Sequence, residues 1–187
     1  MEIERTAKMV VILGANGTGK TTILKNILNQ SPDKSLVVAP DVIGWEDYPL
    51  VDLDRPDDYL GTGIRTHIFD DRKKGGTLDK IEYFKKGNLV FDDCRAYFGD
   101  KTDPRIHKLI IRRRQRMVDI FAVGHGFNEV PPKFFTFATE IILFRTTDNI
   151  ARRKNCLKDF EMMVEAQRRV NRIAKNNPHH FEVIKFT

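Results

Sequence analysis

Gly14-Ala15-Asn16-Gly17-Thr18-Gly19-Lys20-Thr21 decides how this chain is read. The stretch fits G-x-x-x-x-G-K-[ST], a signature for cradling phosphates with backbone N–H donors. Its surroundings agree. The apolar run Met9-Val10-Val11-Ile12-Leu13 reads as a buried strand leading in. Ile23, Leu24, Ile27 and Leu28 share one face of a helix leading out. Glycines let the backbone wrap a polyphosphate closely, and the following helix N-terminus adds partial positive charge. The candidate nucleotide-binding residues are therefore Gly14, Ala15, Asn16, Gly17, Thr18, Gly19, Lys20, Thr21 and Thr22. Lys20 would reach the β- and γ-phosphates, the Thr21 hydroxyl would ligate Mg²⁺, and Thr22 would help at the α-phosphate. ATP and Mg²⁺ are the implied cofactors.

A second motif follows at Asn88-Leu89-Val90-Phe91-Asp92-Asp93. An apolar strand ending in paired acids, downstream of such a loop, is the Walker B pattern. The Asp92 carboxylate suits a hard octahedral cation, held through its water shell. Asp93, one residue on, is placed to polarise an attacking water. Paired aspartates also end ordinary strands in solvated turns; the loop at 14–21 favours the functional reading. Val118 to Gly124 is a clear strand, and His125 follows at its tip. A polar residue there could contact the γ-phosphate, although by itself His125 reads as a turn histidine.

Between these motifs, Ser35 to Ala39 reads as a strand ended by Pro40. Residues 41–63 form a long irregular connection with room for a short helix, and a connection of that length is uncommon unless functional. Trp45 within it reads as a packing anchor rather than a stacking platform. Ile64 to Phe69 is expected as an edge strand, Lys73-Lys74-Gly75-Gly76 as a turn, and Leu78 to Phe84 as a helix stopped at Gly87. Asp103-Pro104 can open a helix whose face carries Ile106, Leu109, Ile110, Arg113 and Met117. Pro131-Pro132 breaks the chain before the strand Glu140 to Phe144. A basic helix is expected from Leu157 to about Asn176, and a last edge strand from Phe181 to Phe186. Strands alternating with helices predict an α/β fold, a mostly parallel sheet flanked by helices.

At 187 residues the expectation is one domain over 1–187, with enough chain to bury a core. No apolar run is long enough to cross a bilayer and no secretory signal is visible. Cys94 and Cys156 have no metal or redox spacing, as expected of ordinary thiols in a reducing compartment. The net charge is +6 and unevenly spread. Residues 41–58 are acidic through Asp41, Glu46, Asp47, Asp52, Asp54, Asp57 and Asp58, while 105–116 and 152–175 are strongly basic. Such a balance is compatible with a polyanionic partner or with a solvated surface.

GANGTGKTT at 14–22, NLVFDDCRAYFG at 88–99, RRRQRMVDIFAVGHGFNEVPP at 112–132 and EIILFR at 140–145 form an ordered set. In that order the chain resembles the FtsK–HerA superfamily of DNA-translocating P-loop ATPases. This superfamily includes genome-packaging ATPases of tailless, membrane-containing viruses and zonula-occludens-toxin-like phage assembly proteins. The resemblance implies a P-loop NTPase of the RecA-like, additional-strand type, with the strand Ile120 to Val123 between the P-loop and Walker B strands. It puts His125 at the family's polar sensor position. It matches Arg114 and Arg116 to the region that supplies an arginine finger to a neighbouring subunit, where a cation stabilises charge on the transferring phosphoryl group. The catalytic set it implies is Lys20, Asp93, His125, Arg114 and Arg116. One departure is visible: the family's water-activating Glu is Asp93 here.

The leading expectation is an ATPase that moves double-stranded DNA without reading its sequence, as a homo-oligomeric pentamer or hexamer, in genome packaging. A capsid vertex or membrane protein would be a further partner, in the host cytoplasm or on the virion. Zonula-occludens-toxin-like proteins carry a membrane segment, and its absence from the sequence favours packaging over export. The alternative is a small P-loop kinase acting on a nucleoside, nucleotide or polynucleotide end, with Arg145, Arg152 and Arg153 as a phosphate-clamping lid. The Asp-Asp pair and polar-tipped strand suit water attack better. A guanine-reading Asn-Lys-x-Asp pattern, expected of a regulatory switch, does not occur.

Overall fold

A computed structural model describes residues 7–55, 61–71, 75–99 and 103–186. In chain order the elements are β1 (Met9–Leu13), α1 (Lys20–Gln30), β2 (Lys34–Ala39), β3 (Gly63–Ile68), α2 (Thr77–Ile81) and β4 (Gly87–Phe91). They continue with α3 (Pro104–Arg116), β5 (Val118–Gly124), α4 (Pro132–Thr136), β6 (Glu140–Phe144), α5 (Phe160–Ile173) and β7 (Phe181–Lys185). One seven-stranded sheet runs in the order β3-β2-β4-β5-β1-β6-β7. Every pairing is parallel except β6 with β7, where Phe144 faces Phe181.

The central strands are apolar on both faces because helices cover both faces, the usual condition of a parallel sheet. Met9, Val11 and Leu13 of β1 and Ile120 and Ala122 of β5 pack with buried residues of α2, α3, α4 and α5. Val10, Ile12, Phe121 and Val123 point the other way, into a cluster with Leu24 and Leu28 of α1 and with Trp45. Each such aliphatic side chain contributes roughly 1.5–3 kcal/mol by leaving water. β5 lies between β1 and β4, as the family resemblance implies, which brings the ends of the two motif strands and of β5 to one edge of the sheet.

Several local expectations change. α2 ends at Ile81, and Tyr83 is 72% exposed, so neither Tyr83 nor Gly87 belongs to a helix. Gly87 opens β4 instead, where a Cβ would stand 2.4 Å from the Lys34 carbonyl oxygen of the adjoining strand. Met117 leaves the helical face. It caps α3 in the left-handed region (φ 55°) and is exposed, so that the chain can turn directly into β5. α5 starts at Phe160 rather than Leu157, because the Asp159 side chain accepts the Met162 N–H as its N-cap. Pro132 begins the short α4, which buries Phe134 and Phe135.

The connection after β2 has no helix in its described part. It runs along the β3 edge, where Val51 N donates to Thr66 O (2.8 Å) and Thr66 N to Pro49 O (2.9 Å), which covers an otherwise open strand edge. Pro56, Asp57 and Asp58 of that connection, and Lys73 and Lys74 of the expected turn, lie outside the described residues. Both cysteines are free thiols, and burial raises the pKa of the Cys94 thiol well above its ordinary value.

α3 is anchored at its start. Asp103 Oδ1 accepts the Arg105 N–H at 2.8 Å, and the Arg105 guanidinium pairs with Asp71, Asp79 and Asp103. Asp103→Ala is expected to lower the unfolding free energy by about 1 kcal/mol, seen as a lower urea midpoint at unchanged slope.

Candidate active site

The loop after β1 is built as its sequence suggests. Gly17 (φ 73°) and Gly19 (φ 101°) occupy left-handed backbone that side chains disfavour. At Gly14 a Cβ would stand 2.4 Å from Phe144 Cβ and 2.8 Å from Thr18 Oγ1. The Thr18 hydroxyl, buried, donates to Ala15 O at 2.8 Å and closes the loop internally. Ala15 N donates to Arg145 O (2.8 Å) and Gly14 N to Gly124 O (3.3 Å), fastening the loop to the ends of β6 and β5. Lys20 opens α1 and is almost wholly buried. Its ammonium donates to Gly14 O (2.6 Å) and Ala15 O (3.0 Å) and lies 3.4 Å from His125 Nδ1. Burial lowers its pKa, opposed by Asp92, Glu129 and Asp93.

Asp92 stands at the tip of β4, its N–H on Val38 O. Its Oδ2 accepts the Trp45 indole N–H at 2.7 Å and its Oδ1 the Asp93 N–H at 3.1 Å. Burial raises its pKa above the ordinary carboxylate value. Tyr97, half-buried, directs its hydroxyl at Asp92 O (2.7 Å) and Val38 O (3.0 Å), so the strand tip is pinned from below. Asp93 takes left-handed backbone (φ 49°), and its Oδ1 is buried without a hydrogen-bond partner. That atom lies 3.7 Å from His125 Nε2. The His125 N–H donates to Glu129 Oε2 at 2.8 Å, and Glu129 Oε1 lies 3.2 Å from Arg95 Nη1.

These groups border a cleft of about 890 Å³ lined by Asn16 to Ile23, Asp92, Asp93, Arg95, His125, His179 and Phe181, with Asp41 and Ile43 at its rim. Lys20, Thr21, Thr22, Asp92, Asp93 and His125 are thus brought together. Thr21 and Asp92 fit a magnesium ion: they offer hydroxyl and carboxylate oxygens beside the phosphate loop, and the partly desolvated Asp92 carboxylate gains from a nearby cation. Asp93, His125 and Glu129 also present atoms within 4.8 Å of one another, close enough to share a bound water.

Arg114 and Arg116 lie elsewhere. They end α3, where Lys86 N donates to Arg116 O, at the opposite end of β5 from His125. Seven strand residues separate them from the cleft, about 23 Å of rise. Arg114 is exposed, and Arg116 Nη1 is buried without a partner. The lid arginines are not gathered either: Arg153 donates to Phe127 O and Asn128 O.

Sequence reading missed four contributors. Trp45 is the packing anchor expected of it, but its indole also holds Asp92. The signal was positional: the loop after β2 must cross the carboxyl ends of the parallel strands, where such sites form. Tyr97 and Arg95 follow the acidic pair within one turn. Glu129, four residues past His125, folds back through a tight turn that no periodicity announces.

The fold is that of P-loop NTPase structures, with a strand inserted between the two motif strands. Among solved structures, the chain is similar to the genome-packaging NTPase B204 of Sulfolobus turreted icosahedral virus 2 with AMPPCP (TM-score 0.74, 15% identity, 96% of this chain and 92% of that one). It is also similar to B204, the DNA-packaging ATPase of Sulfolobus turreted icosahedral virus (TM-score 0.67, 14% identity, 97% and 98%). The N-terminal domain of zonular occludens toxin from Neisseria meningitidis aligns more loosely (TM-score 0.47, 14% identity, 76% and 79%). At such identities the likeness is one of fold. No protein-family model matches the chain, and no curated protein sequence does.

Trp45→Phe keeps an aromatic ring in the cluster but removes the donor to Asp92. A loss of about 1.5–3 kcal/mol in urea unfolding is expected, as for a hydrogen bond to a charged group. Unchanged stability would show that the bond does not anchor the strand tip.

Proposed function

We propose that this chain is a single-domain, magnesium-dependent ATPase that moves double-stranded DNA as a ring, in the packaging of a viral genome. The observation that carries the proposal is the convergence of Lys20, Asp93 and His125 on one point. Lys20 Nζ lies 3.4 Å from one ring nitrogen of His125, and the unpartnered Asp93 oxygen lies 3.7 Å from the other. A terminal phosphate and its attacking water would meet there.

Backbone N–H groups of 16–20 and the α1 N-terminus hold the triphosphate, since those of Gly14 and Ala15 are spent on Gly124 O and Arg145 O. Lys20 exchanges the Gly14 and Ala15 carbonyls for β- and γ-phosphate oxygens. Thr21 and Asp92 would hold Mg²⁺, whose charge would offset that developing on those oxygens. Asp93 orients a water and accepts its proton as the water oxygen bonds to the γ-phosphorus. The bond to the β,γ-bridging oxygen breaks, leaving ADP and phosphate. His125 senses the γ-phosphate and ties its presence to β5.

The separation of Arg114 and Arg116 from the cleft supports assembly. They cannot serve their own site across about 23 Å of strand, but a head-to-tail neighbour presents its far end to this one. A ring follows when such contacts close. The basic exposed faces of α3 and α5 suit sequence-independent contact with DNA phosphates. Among the described residues no helix is long and apolar enough to cross a membrane; a capsid-vertex or membrane protein is a further proposed partner.

Steady-state hydrolysis measured against protein concentration, with and without long duplex DNA, tests this reading. DNA stimulation that weakens with added salt and a specific activity that climbs with concentration are expected. Flat hydrolysis, or phosphate transfer to a nucleoside or DNA end, would instead identify a kinase. Asp93→Asn should cut turnover by about 10²–10⁴-fold. Arg114→Ala or Arg116→Ala should keep ATP binding while lowering turnover by about 10³-fold or more; lost binding would mark a structural role.

A further inference from the structure

The ATPase reading leaves one cation unexplained. Among the described residues lining the cleft, Lys20 and Arg95 are the lysine and arginine side chains. Lys20 is claimed by the phosphate loop. It already faces Asp92, Asp93 and Glu129, so a triphosphate would add negative charge to a site rich in carboxylates. Arg95 sits in the 3₁₀ turn Cys94–Ala96 directly after Asp93, and its side chain is 63% exposed. It also lines the smaller neighbouring hollow of about 260 Å³ with Phe98, Asn128 and Glu129. The guanidinium therefore borders two spaces, with Glu129 Oε1 at 3.2 Å holding it toward one of them.

We propose that Arg95 is a phosphate-binding residue acting in its own subunit, and that Glu129 is the latch that holds it aside until a triphosphate arrives. This rests on the ATPase reading of the same cleft. An ion pair so exposed is weak and yields to a better acceptor. A γ-phosphate is that acceptor, because a planar guanidinium can engage two of its oxygens at once. A diphosphate ends one phosphate short and leaves the latch closed.

The latch has a second consequence. Glu129 spends its other oxygen on the His125 N–H. One carboxylate thus joins Arg95, after the Walker B strand, to the tip of the sensor strand. Release of Arg95 takes the cationic partner from the Glu129 carboxylate beside Asp93 and His125, whose ligand atoms lie within 4.8 Å of it. Occupancy of the γ-position is in this way transmitted to β5 through a side chain as well as through His125 itself.

Equilibrium titration of the full chain with fluorescent analogues of a non-hydrolysable ATP and of ADP, at fixed Mg²⁺, tests the assignment without needing turnover or a ring. Arg95→Ala is expected to weaken the triphosphate about tenfold and ADP less than twofold, with an unchanged melting temperature. Arg95→Lys should recover only part of the loss. Glu129→Gln, which keeps an acceptor for the His125 N–H, should tighten the triphosphate several-fold and leave ADP unchanged. Equal weakening of both nucleotides by Arg95→Ala, or no weakening of either, would overturn the proposal. A wild-type chain that binds neither nucleotide would overturn the ATPase reading itself, and this one with it.

Discussion

β5 is enclosed between β1 and β4 by parallel hydrogen bonds and buried on both faces, and the site depends on that enclosure. Three strands in one direction must end at one edge, so the loop of 14–20, the Asp92-Asp93 pair and His125 arrive together. Their spacing across the sheet is the spacing of strands. The register Gly87 to Val118 and Met9 to Ile120 leaves no slack, because slipping by one residue would turn each buried side chain to the opposite face.

Within that frame the chemistry is one of uncompensated charge. Asp92 is partly buried and its desolvation raises its pKa, Lys20 is buried and burial lowers its own, and Asp93 keeps an oxygen without a donor. Each costs stability in the absence of ligand. Each is relieved by what a nucleotide would bring: phosphate for Lys20, a divalent ion for Asp92, a water for Asp93. Trp45 and Tyr97 keep the strand tip from relaxing away from this arrangement, one through its indole on a carboxylate oxygen, the other through a hydroxyl on the main chain. The loop that carries Trp45 also seals the β3 edge, so one irregular segment both protects the sheet and holds the Asp92 carboxylate.

The arginines divide by place. Arg95 stands at the cleft, tied to a partner it can leave, whereas Arg114 and Arg116 stand at the far end of the strand that ends in His125. In the proposed ring, Arg95 would answer to the subunit's own nucleotide and the α3 arginines to a neighbour's.

Much of this was legible in the sequence. The glycine pattern, the apolar runs and the paired acids determine the α/β class, six strands with nearly their observed limits, and the loop residues 16–22 that line the cleft, because those properties are local. β5, the seven-residue strand before His125, was equally plain. The order of strands was not local: only resemblance suggested that β5 divides β1 from β4. The end of α2 and the role of Gly87 were misjudged because a close approach between strands looks, in sequence, like a helix stop. Trp45, Arg95, Tyr97 and Glu129 acquire their functions only when loops cross the carboxyl edge of the sheet. Residue type and spacing determined what chemistry this chain can hold; tertiary packing decided which side chains confine it, since contacts across 34 or 47 positions leave no trace in a periodicity.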